Sequence, residues 1–220
     1  MIELRSYQIE CIEAVKEDWK TVDSVLCSLA VGAGKTIIFL ELIDQILLER
    51  PAARIMVVAH TRELIYQPIE RAETFFPAVF PKMGIVMADT NQVKSQVIVG
   101  TVQSLTSGGR LGEILKSGPI DVLIIDETHH ATASTYRQLI TRLKIGNPKL
   151  KIAGFTATPK RTDGDGLKRV FQKVSYRFPI NTAIKMGALC PFDALGIAVP
   201  ISFGSLAENE NGWESEPAGD

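Results

Sequence analysis

A glycine-rich segment near the start of the chain, residues 30–36, has the composition of a phosphate-binding loop. Its sequence, Ala-Val-Gly-Ala-Gly-Lys-Thr, lies between a predicted buried strand and a predicted helix. Glycines let backbone N–H groups approach phosphate oxygens without Cβ clashes, and the N-terminus of the following helix adds a positive dipole. Lys35 would then reach the terminal phosphates of a nucleoside triphosphate, and the Thr36 hydroxyl would bind Mg²⁺.

The loop departs from the general phosphate-binding motif at one position. That motif begins with a glycine where this chain has Leu29. The alternative is therefore a glycine-rich turn that binds nothing, although Gly-Lys-Thr between a strand and a helix is hard to match by accident. The candidate nucleotide-binding residues of the loop are Val31, Gly32, Ala33, Gly34, Lys35 and Thr36.

Two adjacent carboxylates, Asp126 and Glu127, follow directly after the apolar run 122–125. Ligands of α/β sheets bind at the carboxyl ends of strands, so this position suits the same site as the loop. Asp126 would hold Mg²⁺ through water, and Glu127 could polarise the attacking water as a general base. A solvated strand end is the alternative, which the loop 91 residues upstream of Asp126 makes less favourable. The candidate catalytic residues are Lys35, Asp126 and Glu127.

Helical and strand-like hydrophobic patterns alternate along the chain. Helices are predicted at residues 5–19, 35–49, 62–76 and 135–143. Strands are predicted at residues 22–29, 54–59, 85–87, 96–100, 122–125 and 151–155, with a polar loop at 88–94. Uninterrupted apolar strands that alternate with helices indicate a parallel β-sheet with helices on both faces, so the predicted fold class is α/β.

Composition excludes several classes of protein. Of the 220 residues, 45% are apolar, which is enough to bury a large core, but no apolar run is long enough to cross a bilayer. The N-terminal residues show no secretory signal. Cys11, Cys27 and Cys190 are odd in number and far apart in sequence, which matches neither a disulfide nor a zinc pattern. We therefore expect a reducing, cytoplasmic setting and no membrane partner.

The end of the chain has a different composition from the rest. Residues 207–220 contain five acidic side chains and no Lys or Arg, although the net charge of the whole chain is only -1. Such a segment is typical of a solvated linker. We therefore predict one domain over residues 1–204 and an acidic, flexible linker or tail over residues 205–220.

Six segments occur in the order found in the first RecA-like domain of superfamily 2 helicases, which residues 4–200 resemble. The segments are residues 4–8, 29–36, 59–64, 100–105, 126–130 and 155–159. Within that superfamily the chain is most similar to the DExH branch that contains XPB-type helicases and the type III restriction subunits. In the segment 126–130, which contains the two carboxylates and is called the acidic box, Thr128 occupies a position where alanine is commoner in the family.

The resemblance implies a RecA-like P-loop NTPase domain that uses ATP and Mg²⁺. It also implies that the N-terminal segment reads adenine, with Arg5, Tyr7 and Gln8 as the candidate residues. A glutamine amide can donate and accept at the same time, which suits adenine. A simple helix start is the alternative for this segment.

Two further sets of residues take their expected roles from the resemblance. The candidates for coupling phosphate occupancy to domain motion are His129, Thr156 and Thr158. The candidates for contacts with the nucleic-acid backbone are Thr61, Arg62, Thr101 and Ser104. Contacts of that kind position a strand without reading its bases. The alternatives are threonine turn chemistry, a solvated charge at Arg62, and helix capping by Thr101 and Ser104.

The predicted function is the ATP-binding motor lobe of an ATP-dependent helicase or translocase. The branch favours DNA over RNA as the nucleic-acid partner. A second RecA-like domain, absent from these 220 residues, would come from a longer chain or from a partner. The alternatives are a regulatory nucleotide-binding module and a P-loop kinase or small-molecule ATPase. The complete set Lys35, Thr36, Asp126 and Glu127 argues against a degenerate module.

Overall fold

The computed structural model of the protein describes residues 2–88, 90–128, 134–157, 167–191, 206–209 and 212–215. The chain divides into two compact units, Met1–Leu189 and Cys190–Asp220. In the second unit, β9 (Leu206–Asn209) and β10 (Gly212–Ser215) pair as an antiparallel hairpin. This hairpin lies inside the segment predicted as a linker, and the predicted boundary at residue 204 remains a prediction.

The first unit alternates strands and helices as the hydrophobic pattern predicts. Its helices are α1 (Ser6–Asp18), α2 (Lys35–Glu49), α3 (Glu63–Phe75), α4 (Val102–Thr106), α5 (Arg110–Lys116), α6 (Ser134–Gly146) and α7 (Ile180–Lys185). Its strands are β1 (Ser24–Leu29), β2 (Ile55–Ala59), β3 (Met83–Met87), β4 (Thr90–Asn91), β5 (Val97–Thr101), β6 (Val122–Asp126), β7 (Lys151–Thr156) and β8 (Lys173–Phe178).

The eight strands of the first unit form one sheet in the order β4-β3-β5-β2-β6-β7-β1-β8. All neighbours are parallel except β4, which pairs antiparallel with β3. The predicted α/β class with a parallel sheet is confirmed. Because β7 lies between β1 and β6, the loop after β1 and the carboxylates at the end of β6 flank the end of one central strand.

Helices cover both faces of the sheet and create two hydrophobic cores. On one face, α1, α2 and α3 pack against strand residues such as Val57 and Phe155. On the other face, α4, α5 and α6 pack against residues such as Val58 and Leu123. Successive side chains of a strand point to opposite faces, so a strand that is covered on both sides must be apolar throughout. This requirement explains the continuous apolar runs in the sequence.

The fold brings together two cysteines that are far apart in sequence. Cys11 on α1 and Cys27 on β1 are completely buried free thiols. A hydrogen bond between the two thiols, together with burial, raises the pKa of Cys27 well above its ordinary value. Burial and a raised pKa both lower the reactivity of a thiol, so this pair is a packing feature of the core.

Candidate functional site

The phosphate-binding loop connects the end of β1 to the start of α2. Gly32 and Gly34 have φ angles of 81° and 76°, which glycine adopts without the Cβ clash of other residues. Gly34 is the N-cap of α2, and no side chain in the described part of the chain caps this helix. The first backbone N–H groups of α2 are therefore available to an anion, as a phosphate site at a helix start requires.

The predicted catalytic residues meet across the end of the sheet. The Nζ atom of Lys35 lies 3.5 Å from Oε1 of Glu127, which follows the last residue of β6. Glu127 has a φ angle of 53°, in a region that residues other than glycine rarely adopt. A backbone conformation of this kind costs about 1–3 kcal/mol and is concentrated at functional sites. The geometry therefore agrees with a role for Glu127 in chemistry.

Asp126 is held in a nearly dry environment beside Glu127. Its side chain is 5% exposed, and its Oδ1 atom accepts a hydrogen bond of 3.0 Å from the Glu127 N–H. Burial raises the pKa of Asp126 to about 6, the negative charge of Glu127 adds to this shift, and the positive charge of Lys35 opposes it. A bound cation would favour the ionised carboxylate in the same way as Lys35 does.

A cavity of about 460 Å³ joins these groups. Lys35, Thr36, Asp126 and Glu127 all line it, together with residues of the phosphate-binding loop and of α3. The hydroxyl of Thr36 donates a hydrogen bond of 3.1 Å to Oε1 of Gln67 on α3. One cavity therefore contains a cation, two carboxylates and a hydroxyl beside an uncapped helix start.

One face of α3 forms a wall of the cavity that the sequence analysis did not assign to the site. The wall consists of Leu64, Gln67, Arg71 and Phe75. These residues are three or four positions apart, so they lie on one side of a helix. That spacing, read onward from residues 59–64, could have identified Arg71 as a second positive charge that lines the cavity.

Two of the predicted adenine-reading residues, Tyr7 and Gln8, contact the backbone of the phosphate-binding loop. The Tyr7 hydroxyl donates to the Ala33 carbonyl at 3.1 Å, and the Gln8 amide nitrogen lies 3.5 Å from the same oxygen. Both side chains are more than nine-tenths buried. Arg5 is the N-cap residue of α1, where its backbone N–H donates to Oε1 of Gln8 at 2.9 Å, and its guanidinium donates to the Ala188 carbonyl at 2.9 Å. Contact of all three residues with adenine remains a prediction, whereas the contacts of Tyr7 and Gln8 with the loop are observed.

Of the three candidate coupling residues, the structure describes only Thr156. Thr156 is completely buried at the end of β7, where it pairs with Ser28 of β1. His129 and Thr158 lie outside the described residues. Thr128 is also completely buried, and its hydroxyl finds no hydrogen-bond partner among the residues that the structure describes. Thr156 therefore lies on the strand between β1, which precedes the phosphate-binding loop, and β6, which ends in Asp126. A residue that couples the two segments needs such a position.

The predicted nucleic-acid contacts follow two neighbouring strands, β2 and β5. Thr101 is the N-cap of α4, where its hydroxyl accepts the Ser104 N–H at 3.1 Å and donates to the Ser104 hydroxyl at 2.9 Å. The Thr61 hydroxyl accepts the Leu64 N–H at 3.4 Å, and Arg62 is exposed at the start of α3. Capping by Thr101 is therefore observed, and contact of these residues with nucleic acid remains a prediction.

The side chains in the cavity suit Mg²⁺ bound together with phosphates. The Thr36 hydroxyl and the Asp126 carboxylate are hard oxygen ligands that line the same space. No group of three His, Cys, Asp or Glu residues that could hold a metal occurs in the described part of the chain. Mg²⁺ that is bound with nucleotide phosphates needs only one or two such protein ligands. None of the described helices is long and apolar enough to cross a membrane.

Comparison with known proteins places this geometry in a family. Residues 1–161 match the family described as "Type III restriction enzyme, res subunit". The chain is 28% identical over 97% of its length to the protein named "Putative ATP-dependent helicase IRC3" of Saccharomyces cerevisiae. It is 26% identical over 79% of its length to the ATP-dependent DNA helicase MPH1 of Candida glabrata. The chain covers 32% of IRC3 and 16% of MPH1, so it spans a third or less of these relatives.

A solved structure shows the same fold. The chain superposes with a TM-score of 0.67 and 19% identity on the Type ISP restriction-modification enzyme LlaGI, whose structure contains a DNA substrate mimic. The match covers 84% of this chain and 21% of LlaGI. The predicted RecA-like α/β fold is therefore confirmed.

Proposed function

Because this chain belongs to the family of type III restriction enzyme res subunits, we propose that it is the ATP-binding motor lobe of a DNA helicase or translocase. The observation that carries the proposal is the convergence of Lys35, Thr36, Asp126 and Glu127 on one cavity at the carboxyl end of the sheet. A nucleoside triphosphate needs each of these groups for binding and hydrolysis.

Each residue of the cavity has a separate task in this proposal. The uncapped start of α2 and Lys35 bind the phosphates, and the ion pair of Lys35 with Glu127 opens as they do so. Thr36 and Asp126 hold Mg²⁺, which neutralises negative charge on the phosphates when it is bound. Glu127 orients the attacking water and accepts its proton as general base. Thr156 on the intervening strand senses whether the terminal phosphate is present.

The nucleic-acid partner is proposed to be DNA. MPH1 is named a DNA helicase, and LlaGI was solved with a DNA substrate mimic. The exposed Arg62 and the hydroxyls near the start of α4 would contact the strand backbone, which positions the strand without reading sequence. These residues lie at the carboxyl ends of β2, which neighbours β6, and of β5, which lies on the other side of β2.

A complete motor would also need a second RecA-like domain. In P-loop motors an arginine from outside the lobe stabilises the transition state and contributes roughly 10³–10⁵ in rate. We therefore expect these 220 residues to bind ATP with weak hydrolysis and without strand separation. Processive unwinding by this chain as the only protein present would contradict the proposal.

Two single variants test whether the chain has separate sites for nucleotide and for strand. Lys35→Ala should weaken MgATP binding roughly tenfold or more, because hydrogen bonds to charged groups contribute about 1.5–3 kcal/mol, and should leave strand affinity unchanged. Arg62→Ala should weaken the binding of single-stranded DNA and leave MgATP affinity unchanged. Circular dichroism of both variants serves as the control for folding.

The result for the wild-type chain separates the alternatives. Binding of both ligands, with each variant losing one of them, supports the motor lobe. ATP binding by a folded chain that binds no DNA would favour a regulatory module or a small-molecule ATPase. Loss of both ligands in both variants would indicate one shared site and contradict the proposal.

A further inference from the structure

A groove of about 750 Å³ lies between α4 and α6, on the opposite face of the sheet from α1, α2 and α3. Tyr136, Leu139 and Leu143 bury the inner side of α6, so the outer side faces the groove and solvent. The groove is lined by Thr106, Ser134, Arg137, Gln138, Thr141 and Arg142. Each of these six side chains can donate a hydrogen bond, and none of the described lining residues is acidic.

No acidic side chain among the described residues pairs with the arginines of this groove. Arg137 and Arg142 are exposed, and neither forms an ion pair with a described residue. Neither α4 nor α6 contains Asp or Glu, and the sequence 128–162 contains seven Lys and Arg residues without any acid. Charges of one sign in a concave surface raise the local concentration of an oppositely charged ligand.

A second groove of similar size on the same molecule has both acidic and basic lining residues. The groove along α1 has a volume of about 770 Å³ and is lined by three glutamates and two lysines, besides apolar residues. Its Lys16 and Lys20 form ion pairs with Glu49 and Glu17. The α4–α6 groove therefore differs from a comparable groove of the same molecule in that its arginines have no acidic partners among the described residues.

The lining chemistry fits a phosphate backbone. A guanidinium binds phosphate oxygens with two parallel hydrogen bonds, and hydroxyl and amide groups supply further donors. Thr106 ends the five-residue helix α4 that begins after Thr101, so the groove starts about 7 Å along the helix axis from Thr101 and about 3 Å from Ser104. We propose that the α4–α6 groove binds the phosphate backbone of the nucleic-acid strand and extends the strand path past Ser104.

This inference rests on the proposed nucleic-acid function and predicts a change in affinity that does not depend on base sequence. The double variant R137A/R142A should bind a short fluorescent oligothymidine roughly tenfold or more weakly, because each lost hydrogen bond to a charged group contributes strongly. The slope of log affinity against log salt should fall by about 1.4, since each phosphate contact of a single strand contributes about 0.7.

A matched control removes two positive charges from the opposite edge of the sheet. Arg50 and Lys149 are exposed and precede β2 and β7, respectively, at the amino ends of these strands. The variant R50A/K149A should retain the wild-type salt slope and nearly the wild-type affinity. MgATP binding, measured for every variant, reports on folding and tests the nucleotide half of the proposed function separately.

The outcomes distinguish the inference from the function on which it rests. A large loss in R137A/R142A that is absent from R50A/K149A supports the groove. Equal behaviour of the two double variants would overturn the inference and assign the groove to another protein or to solvent, while Arg62→Ala still tests the strand site. Failure of the wild-type chain to bind the oligonucleotide would overturn both the inference and the proposed binding of nucleic acid. The proposed binding of MgATP would then still be tested separately by the nucleotide titration.

Discussion

Replacing Asp126 by Asn should stabilise the chain while removing a ligand of Mg²⁺. The carboxylate is buried, and its pKa is raised from 3.8 to about 6, so the folded state disfavours its charged form. One pKa unit corresponds to about 1.36 kcal/mol, which gives a cost of about 3 kcal/mol when the group is ionised in the folded chain. Asparagine has almost the same shape, keeps an oxygen for the Glu127 N–H, and does not carry this cost.

The sign of the pH dependence follows from the raised pKa. A carboxyl group whose pKa is higher in the folded state binds protons more tightly there, so its destabilising effect is absent below pH 3.8 and complete above about pH 6. The advantage of Asp126→Asn should therefore be largest at neutral pH and should shrink as the pH falls from 6 toward 4. A gain of about 3 kcal/mol corresponds to roughly 6–12 °C in Tm for a domain of this size.

Urea unfolding at several pH values, without nucleotide or Mg²⁺, measures this effect. Glu73→Gln is the matched control, because Glu73 is exposed on α3 and its charge is already solvated. The control should change the free energy of unfolding by less than about 0.5 kcal/mol at any pH. The reasoning is refuted if Asp126→Asn gives no gain at neutral pH, or a gain that does not vary with pH.

Three other predictions follow from single features of the fold. Gly154→Ala should destabilise the chain by about 1–3 kcal/mol in urea unfolding, because the new Cβ would lie 2.4 Å from Phe171, whereas Gly112→Ala in α5 meets nothing and should stabilise by about 0.5–1 kcal/mol. A thiol reagent should modify only Cys190 in the folded chain and all three cysteines in denaturant; rapid modification of two or three thiols under native conditions would contradict the buried pair. Gln67→Ala should change the Mg²⁺ dependence of ATP binding more than the affinity without Mg²⁺, because Gln67 accepts the hydrogen bond of the metal-binding hydroxyl; an equal effect with and without Mg²⁺ would assign Gln67 to the cavity wall only.

The sequence predicted that the loop residues and the two carboxylates come together, because each group of residues is local in sequence. The helix predicted at residues 35–49 has the same bounds in the structure, and the loop and the acidic box each contain their functional groups within a few consecutive residues. Parallel topology then places both segments at the same edge of the sheet. Local sequence and one topological rule were therefore enough to bring Lys35 and Glu127 together.

Features that depend on short elements or on packing could not be predicted from the sequence. The helix α4 has only five residues, too few for a helical period, and β4 consists of two residues inside the predicted polar loop. The partnership of Cys11 with Cys27 and the burial of Gln8 behind the loop depend on how α1 packs. Each of these contacts joins segments distant in sequence, for which a single sequence offers no pattern.

A titration with fluorescent ATP measures whether this cavity binds MgATP. The wild-type chain and Lys35→Ala would be titrated with and without Mg²⁺, with circular dichroism to confirm folding. We predict saturable binding that Mg²⁺ strengthens in the wild-type chain and that is weakened roughly tenfold or more in Lys35→Ala. Absence of binding by the folded wild-type chain, or equal binding by Lys35→Ala, would contradict the assignment of this cavity to ATP.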